Sequence, residues 1–210
     1  MDIGKQMLEL REKRNIPLEE LTMGVCTPES LRNIELGKET VSKLFMEIMF
    51  QRLGKSTDKL ELIVSEEVYE EEEQWECFEE CLERGDGESA NKVLDWFLLN
   101  MPKDSNVHKM FYFRNKAYAA FRVENNPHQA KDWMEQALNI TMPGWMERPI
   151  KEYRMSTLET ENLLAYAKTQ LAIGTDLEIQ EAEQLLLACK QFIDERISDE
   201  EEHANIKPSK

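Results

Sequence analysis

Apolar residues recur at three- and four-residue steps along almost the whole chain, and alternation of period two is absent. A helix repeats about every 3.6 residues and a strand about every two, so the pattern belongs to an all-α protein. Ile3, Met7 and Leu10 place a first helix over about Ile3–Arg14, and a short second one follows Pro17 over Leu18–Met23. A third begins at Thr27-Pro28, where threonine can cap and proline suits the first helical position because its missing N–H would be unsatisfied anyway. It stops at Gly37, a good C-terminal cap, and a fourth runs from about Ser42 to Leu53, burying Phe45, Ile48, Met49 and Leu53.

Residues 56–65 read as a linker. Ten of the eighteen residues from Glu66 to Glu83 are glutamate, yet Val68, Trp75, Phe78 and Leu82 keep helical spacing through the run, which predicts a helix with one strongly acidic side. Beyond it the pattern is paired helices joined by short turns: Ser89–Met101, Val107–Val123, Pro127–Ile140, Thr157–Ile173 and Glu178–Ile197. Their apolar stripes are Ala90-Val93-Leu94-Phe97, Phe111-Tyr118-Phe121, Ala130-Trp133-Met134-Ala137 and Ala182-Leu185-Leu186-Cys189-Phe192. Glu88–Asn91, His128–Lys131 and Gln180–Glu183 each open a helix with alanine third, and the alanines lie 40 and 52 residues apart. Helical hairpins at such a period resemble tetratricopeptide-like repeats, which stack because one hairpin cannot bury its own apolar face. The division expected is 1–55 for a helical head, 56–65 linker, 66–198 repeats and 199–210 a polar tail.

Charge divides the chain in the same place. Residues 1–55 hold nine Lys+Arg and nine Asp+Glu, so the formal net charge of −16 lies entirely beyond residue 55. An acidic second region repels polyanions such as nucleic acid, so only the neutral head could approach one, and with a modest, steeply salt-dependent affinity. No apolar run approaches the roughly 20 residues of a membrane helix, and Asp2, Lys5 and Glu9 stand where a secretory signal would be apolar, so a cytoplasmic protein without membrane contact is expected. Cys26, Cys77, Cys81 and Cys189 lack the paired short spacings of a zinc site and read as reduced thiols. Cys77 and Cys81 lie one helical turn apart and could hold a metal, but His108, His128 and His203 are all distant in sequence. No cofactor is expected, and with no phosphate loop, glycine-rich turn or Ser/His/Asp set, neither is an enzyme.

The head carries the functional signal. Ile3-Gly4-Lys5, Leu10-Arg11-Glu12-Lys13, Leu21 and the run Leu31–Lys38 together resemble the lambda-repressor-like, or XRE, family of helix-turn-helix DNA-binding domains, over about residues 3–54. The resemblance implies that the third helix enters the major groove of double-stranded DNA while the second braces it. Thr27, Pro28, Glu29, Ser30, Arg32 and Asn33 then occupy the reading face; Arg32 and Asn33 can contact guanine and adenine edges, and Glu29 can accept from cytosine. Lys38 and Lys43 would meet phosphate, with help from Lys5 and Gln6, and Arg11 and Glu35 match a pair that forms a structural salt bridge. Two departures stand out. Pro17 and Leu18 replace the family's serine and glutamine, and the turn between Leu21 and Glu35 is one residue short. That short form, with Gln51–Lys55 after it, is similar to Rgg- and PlcR-type regulators of Gram-positive bacteria, which append tetratricopeptide-like repeats.

The resemblance further implies a homodimer and a signalling peptide held in the repeat groove, for which Arg114 and Asn115 are polar candidates. Trp75, Trp96, Trp133, Tyr112, Tyr118 and Tyr166 are read as core. Such regulators continue through further repeats, whereas Ser198–His203 and Lys207–Lys210 are polar, so either the protein is naturally short or the groove is incomplete; an incomplete stack would expose an apolar face and favour dimers. Two readings stay open: a peptide-responsive DNA-binding regulator, and a repeat-based protein-interaction adaptor whose helix-turn-helix no longer binds DNA.

Overall fold

The computed structural model describes the backbone of residues 3–55 and 66–205, and the side chains of 3–55 and 73–196. The expected linker, 56–65, lies outside the described residues, as do 206–210. Among the described residues the chain is all-helical, as the periodicity requires. The head contains α1 (Ile3–Lys13), α2 (Leu18–Thr22), α3 (Pro28–Glu35) and α4 (Lys43–Arg52). Then come α5 (Glu66–Arg84), α6 (Gly87–Asn100), α7 (Asn106–Arg122), α8 (Pro127–Thr141), α9 (Thr157–Ile173) and α10 (Asp176–Asn205), with a 3-10 turn at Ile150–Glu152 before α9. None of these is long and apolar enough to cross a membrane.

Local chemistry sets most helix starts. The side chains of Thr27, Ser42, Asp86, Asn126 and Ser156 each accept a backbone N–H of the following first turn, and Pro28 and Pro127 occupy opening positions. Pro17 has no such oxygen, so α2 begins without a side-chain cap.

Short turns force neighbouring helices back against each other, giving the hairpins α5–α6, α7–α8 and α9–α10. Ala90, Ala130 and Ala182, the recurring alanines, are each fully buried near the start of the second helix of a hairpin. A side chain this small lets the helices approach closely. Lys131 pairs with Glu178 at 2.8 Å, and Gln170 donates to Glu181 at 2.8 Å, tying α8 and α9 to α10.

Two stretches differ from the periodic reading. On α7 the inward residues are Val107, His108, Met110, Asn115, Ala117, Ala119 and Ala120, whereas Phe111, Tyr118 and Phe121 are only half-buried. Small residues of α7 permit close contact with α8, while Phe111 lies against Trp75 of α5 and Phe97 of α6. Helix α10 continues to Asn205, through residues expected in the polar tail, in keeping with glutamate as a good helix former.

The core does not stop at the head's edge. Met7, Leu21, Leu31, Phe45, Met49, Phe50 and Leu53 belong to the same buried cluster as Met110, Met134, Leu138, Met142 and Leu163, while Phe78, Leu82, Val93 and Leu94 form a second, smaller one. Helix α4 touches α7 and α9, and Met46, Phe50 and Arg52 are buried along with its four expected core residues.

Candidate functional site

Helices α2 and α3 meet through the five-residue turn Met23–Thr27, in which Gly24 takes φ +71°. Leu31, Ile34 and Glu35 turn α3 inward against α1 and α2. Arg11 donates from Nε to Glu35 Oε1 at 2.7 Å and from Nη2 to Glu35 Oε2 at 2.9 Å, a two-pronged pair that fixes α1 to α3. Its hydrogen bonds to Glu35 hold the Arg11 guanidinium still more firmly protonated than usual.

The opposite side of α3 faces outward. Thr27, Glu29 and Arg32 are exposed, and Pro28, Ser30 and Asn33 are half-buried. Thr27 serves as the cap, its Oγ1 accepting the Ser30 N–H at 3.1 Å. Ser30 Oγ donates to Glu39 Oε2 at 3.0 Å and Asn33 Nδ2 donates to Glu39 Oε1 at 2.9 Å, so two expected base-reading groups share one carboxylate. Lys38 is exposed beside them, whereas Lys43 opens α4 and lines a separate cavity of about 270 Å³ between the head and the rings of Trp75, Phe97 and Phe111. A groove of about 710 Å³ runs along the N-terminal end of α3, between Thr27, Ser30 and Glu39 on one side and the loop carrying Asp104 and Asn106 on the other.

Arg52 ties the head to the helical hairpins. Arg52, 2 % exposed, donates from Nη1 to the Leu21 and Met23 carbonyls at 2.9 and 2.8 Å, and from Nη2 to the Thr141 carbonyl at 3.0 Å. Its Nε donates to Glu159 Oε2 at 3.1 Å, and its Nη2 also meets Glu159 Oε1. The same Glu159 closes a capping box with Ser156 at the start of α9. Asn106 donates to the Gly24 carbonyl at 2.9 Å, and a Cβ at Gly24 would stand 2.4 Å from the Thr141 carbonyl oxygen. The turn of the helix pair is therefore seated directly on the end of α8.

The two groove candidates part company. Arg114 pairs with Glu161 of α9 at 3.0 Å and lies 4.7 Å over the Tyr118 ring, on the side of α7 that carries Phe111 and Tyr118. Asn115 is 1 % exposed and donates to the Phe111 carbonyl one turn back, so it is turned inward and removed from any groove. Among the six aromatic residues read as core, Tyr166 is buried, while Trp75, Trp96, Trp133, Tyr112 and Tyr118 are half-buried. Trp133 stacks on Phe113, with Lys116 Nζ 4.0 Å over its ring.

Burial pushes the Cys26 and Cys189 thiols up to about 11 and raises Cys81 as well, with Cys77 adding to the rise, so these three are poor nucleophiles. No group of three or more metal-ligating side chains occurs among the described residues.

Sequence reasoning passed over Glu39, Arg52 and Glu159. Glu39 reads as one more loop acid, and Arg52 as an ordinary base in a last helical turn, since its partners are 29 to 107 residues away. Only the Ser156-x-x-Glu159 spacing carried a local signal, and that signal speaks of a cap. Models of known protein families, curated proteins and solved structures all fail to match the chain.

Proposed function

We propose that the protein is a sequence-specific DNA-binding transcriptional regulator whose α3 enters the major groove and whose helical hairpins carry regulation. The observation that carries this reading is the α2–turn–α3 arrangement. Leu31, Ile34 and Glu35 anchor α3, and its first two turns offer Glu29, Arg32 and Asn33 outward with Lys38 alongside. The resemblance of residues 3–54 to lambda-repressor-like domains supports the same reading. The neutral head beside an acidic remainder makes binding modest and strongly dependent on salt.

The test is selection from randomised duplexes with the full chain at low salt, followed by the double substitution Arg32→Ala with Asn33→Ala. A selected operator whose preference the double variant loses, while its helicity and melting are retained, is the expected result. No enrichment at low salt refutes the regulator and leaves the alternative, a repeat-based interaction adaptor. The carboxylates of Glu29 and Glu39 on the α3 face favour that alternative.

The hairpins resemble tetratricopeptide-like repeats, and the half-buried row Phe111, Arg114 and Tyr118 of α7, facing Glu161 of α9, is suited to a signalling peptide. Arg114 is the group a peptide carboxylate would take from Glu161; Asn115 has no part in it. Calorimetry with the producer's small secreted peptides, repeated on Arg114→Ala, measures this directly, and equal binding by both proteins would exclude Arg114. A homodimer is supported by the exposed Leu164, Leu171, Leu187 and Ile193 on α9 and α10, and sedimentation equilibrium reports it.

A further inference from the structure

The carboxylate of Glu39 sits in the middle of the α3 face without belonging to α3. Its backbone is held there by the way the helix ends. Gly37, at φ +69°, donates its N–H to the Ile34 carbonyl at 2.9 Å, and Lys38 donates to the Asn33 carbonyl at 2.8 Å, the paired bonds of a Schellman turn. This reversal lays the chain back alongside the helix it has just left. Glu39 follows immediately, and its two oxygens meet Ser30 Oγ at 3.0 Å and Asn33 Nδ2 at 2.9 Å, groups three residues apart on one helical face.

The hydrogen-bond inventory gives this bridge a chemical consequence. A free serine hydroxyl can donate or accept, and a free asparagine amide can present either end to a base. With Glu39 in place the Ser30 proton is committed, leaving Ser30 only lone pairs to offer. The Asn33 nitrogen is turned toward Glu39 with one of its two protons used, which leaves one N–H and the Oδ1 oxygen as a donor–acceptor edge. That edge complements N7 and the N6 amine of adenine, and an acceptor-only Ser30 suits an exocyclic amine and opposes the acceptors of guanine and thymine.

We propose that Glu39 is a positioning residue for base recognition, its carboxylate fixing the Ser30 hydroxyl and the Asn33 amide so that the α3 face prefers adenine where Asn33 meets the duplex. The proposal rests on the DNA-reading function set out above. It also predicts opposite movements of affinity and specificity. Glu39 brings a negative charge to a surface that approaches phosphates, so its removal strengthens binding to any duplex while freeing the two readers to accept the wrong base.

The experiment uses the full chain and the duplex it selects from a random pool, with a second duplex in which the adenine contacted through Asn33 is replaced by guanine. Fluorescence anisotropy gives the ratio of the two affinities for the wild type, Glu39→Ala, Glu39→Gln, Asn33→Ala and the Glu39→Ala/Asn33→Ala double variant. Expected is a ratio lowered about tenfold in Glu39→Ala, with tighter binding to random duplex, and partial recovery in Glu39→Gln, which lacks the charge but keeps an accepting oxygen. Asn33→Ala loses the same discrimination, and the double variant loses no more, because Glu39 acts through Asn33. An unchanged ratio in Glu39→Ala overturns the proposal, as does equal loss in the alanine and glutamine variants, which would make charge alone responsible. Should the wild type enrich no sequence, the DNA-reading function falls and Glu39 has nothing to position; should it enrich one while Glu39→Ala reads it equally well, only the role of Glu39 falls.

Discussion

Arg52 satisfies three backbone carbonyls and one carboxylate from three separate parts of the chain, in a place that is almost dry. Removing one partner of such a pair strands the other charge without water, so Arg52→Ala should destabilise the protein by roughly 3–5 kcal/mol. The measurement is the urea midpoint. Arg52→Met combined with Glu159→Leu should cost far less than the two single changes added, because no lone charge is left behind. His108 carries a second residue-scale prediction. It is 2 % exposed, its Nδ1 lies 2.6 Å from Ser105 Oγ, and burial lowers its pKa to about 4. The unfolded chain protonates this imidazole near the ordinary value of 6.5 while the folded chain does so only near 4, so its contribution to stability is intact above the first value and lost as pH falls to the second. His108→Gln should therefore lose less of its urea midpoint over that window than the wild type does. The carboxylates titrate in both proteins, and the difference isolates the histidine.

At the scale of elements, the turn between α2 and α3 is shaped by what it rests on. Gly24 combines φ +71° with a backbone neighbour, Thr141, that leaves no room for a Cβ. Gly24→Ala should lower stability by more than about 1 kcal/mol, through strain in the turn and through its separation from α8. Thermal melting checks the first effect. The second is visible as faster hydrogen exchange at Val25 and Cys26, whose N–H groups bond to the Thr22 carbonyl; unchanged protection there would mean the turn adapts without leaving its seat. The same close seating satisfies the backbone of the turn. The carbonyls of Leu21, Met23 and Gly24, which a solvated turn would leave to water, are taken by Arg52 and Asn106.

For the molecule as a whole, the consequence is that head and hairpins share one interior. Phe45, Met46, Phe50 and Leu53 lie in a cluster completed by α7, α8 and α9, so a fragment ending at residue 55 would expose part of that surface and deprive Arg52 of Thr141 and Glu159. The fragment 1–55 should melt without a cooperative transition in circular dichroism, whereas the full chain unfolds cooperatively. A reversible, cooperative transition of the fragment would mean that α1–α4 need nothing from the rest. The first turn of α9 is joined to the Leu21 and Met23 carbonyls through Glu159 and Arg52.

What the sequence determined by itself is local. The helical period, the capping residue Thr27, the Gly37 stop and the recurring alanines placed the helices closely, because each rests on chemistry within about one turn of chain. The acidic run came out as helix α5, with Phe78 and Leu82 buried; Val68 lies among residues whose side chains are not described. Which side of a helix faces inward was legible on α6 and α8 and misleading on α7, where the small residues do the packing. The groups that set the hydrogen bonding of the α3 face, and how the head is held, came only with the tertiary structure. Glu39 reaches Asn33 because a left-handed turn folds the chain back, and Arg52 reaches Glu159 across 107 residues. A carboxylate and a guanidinium look the same in sequence whether they end in water or in each other, and only the packing of distant elements settles which.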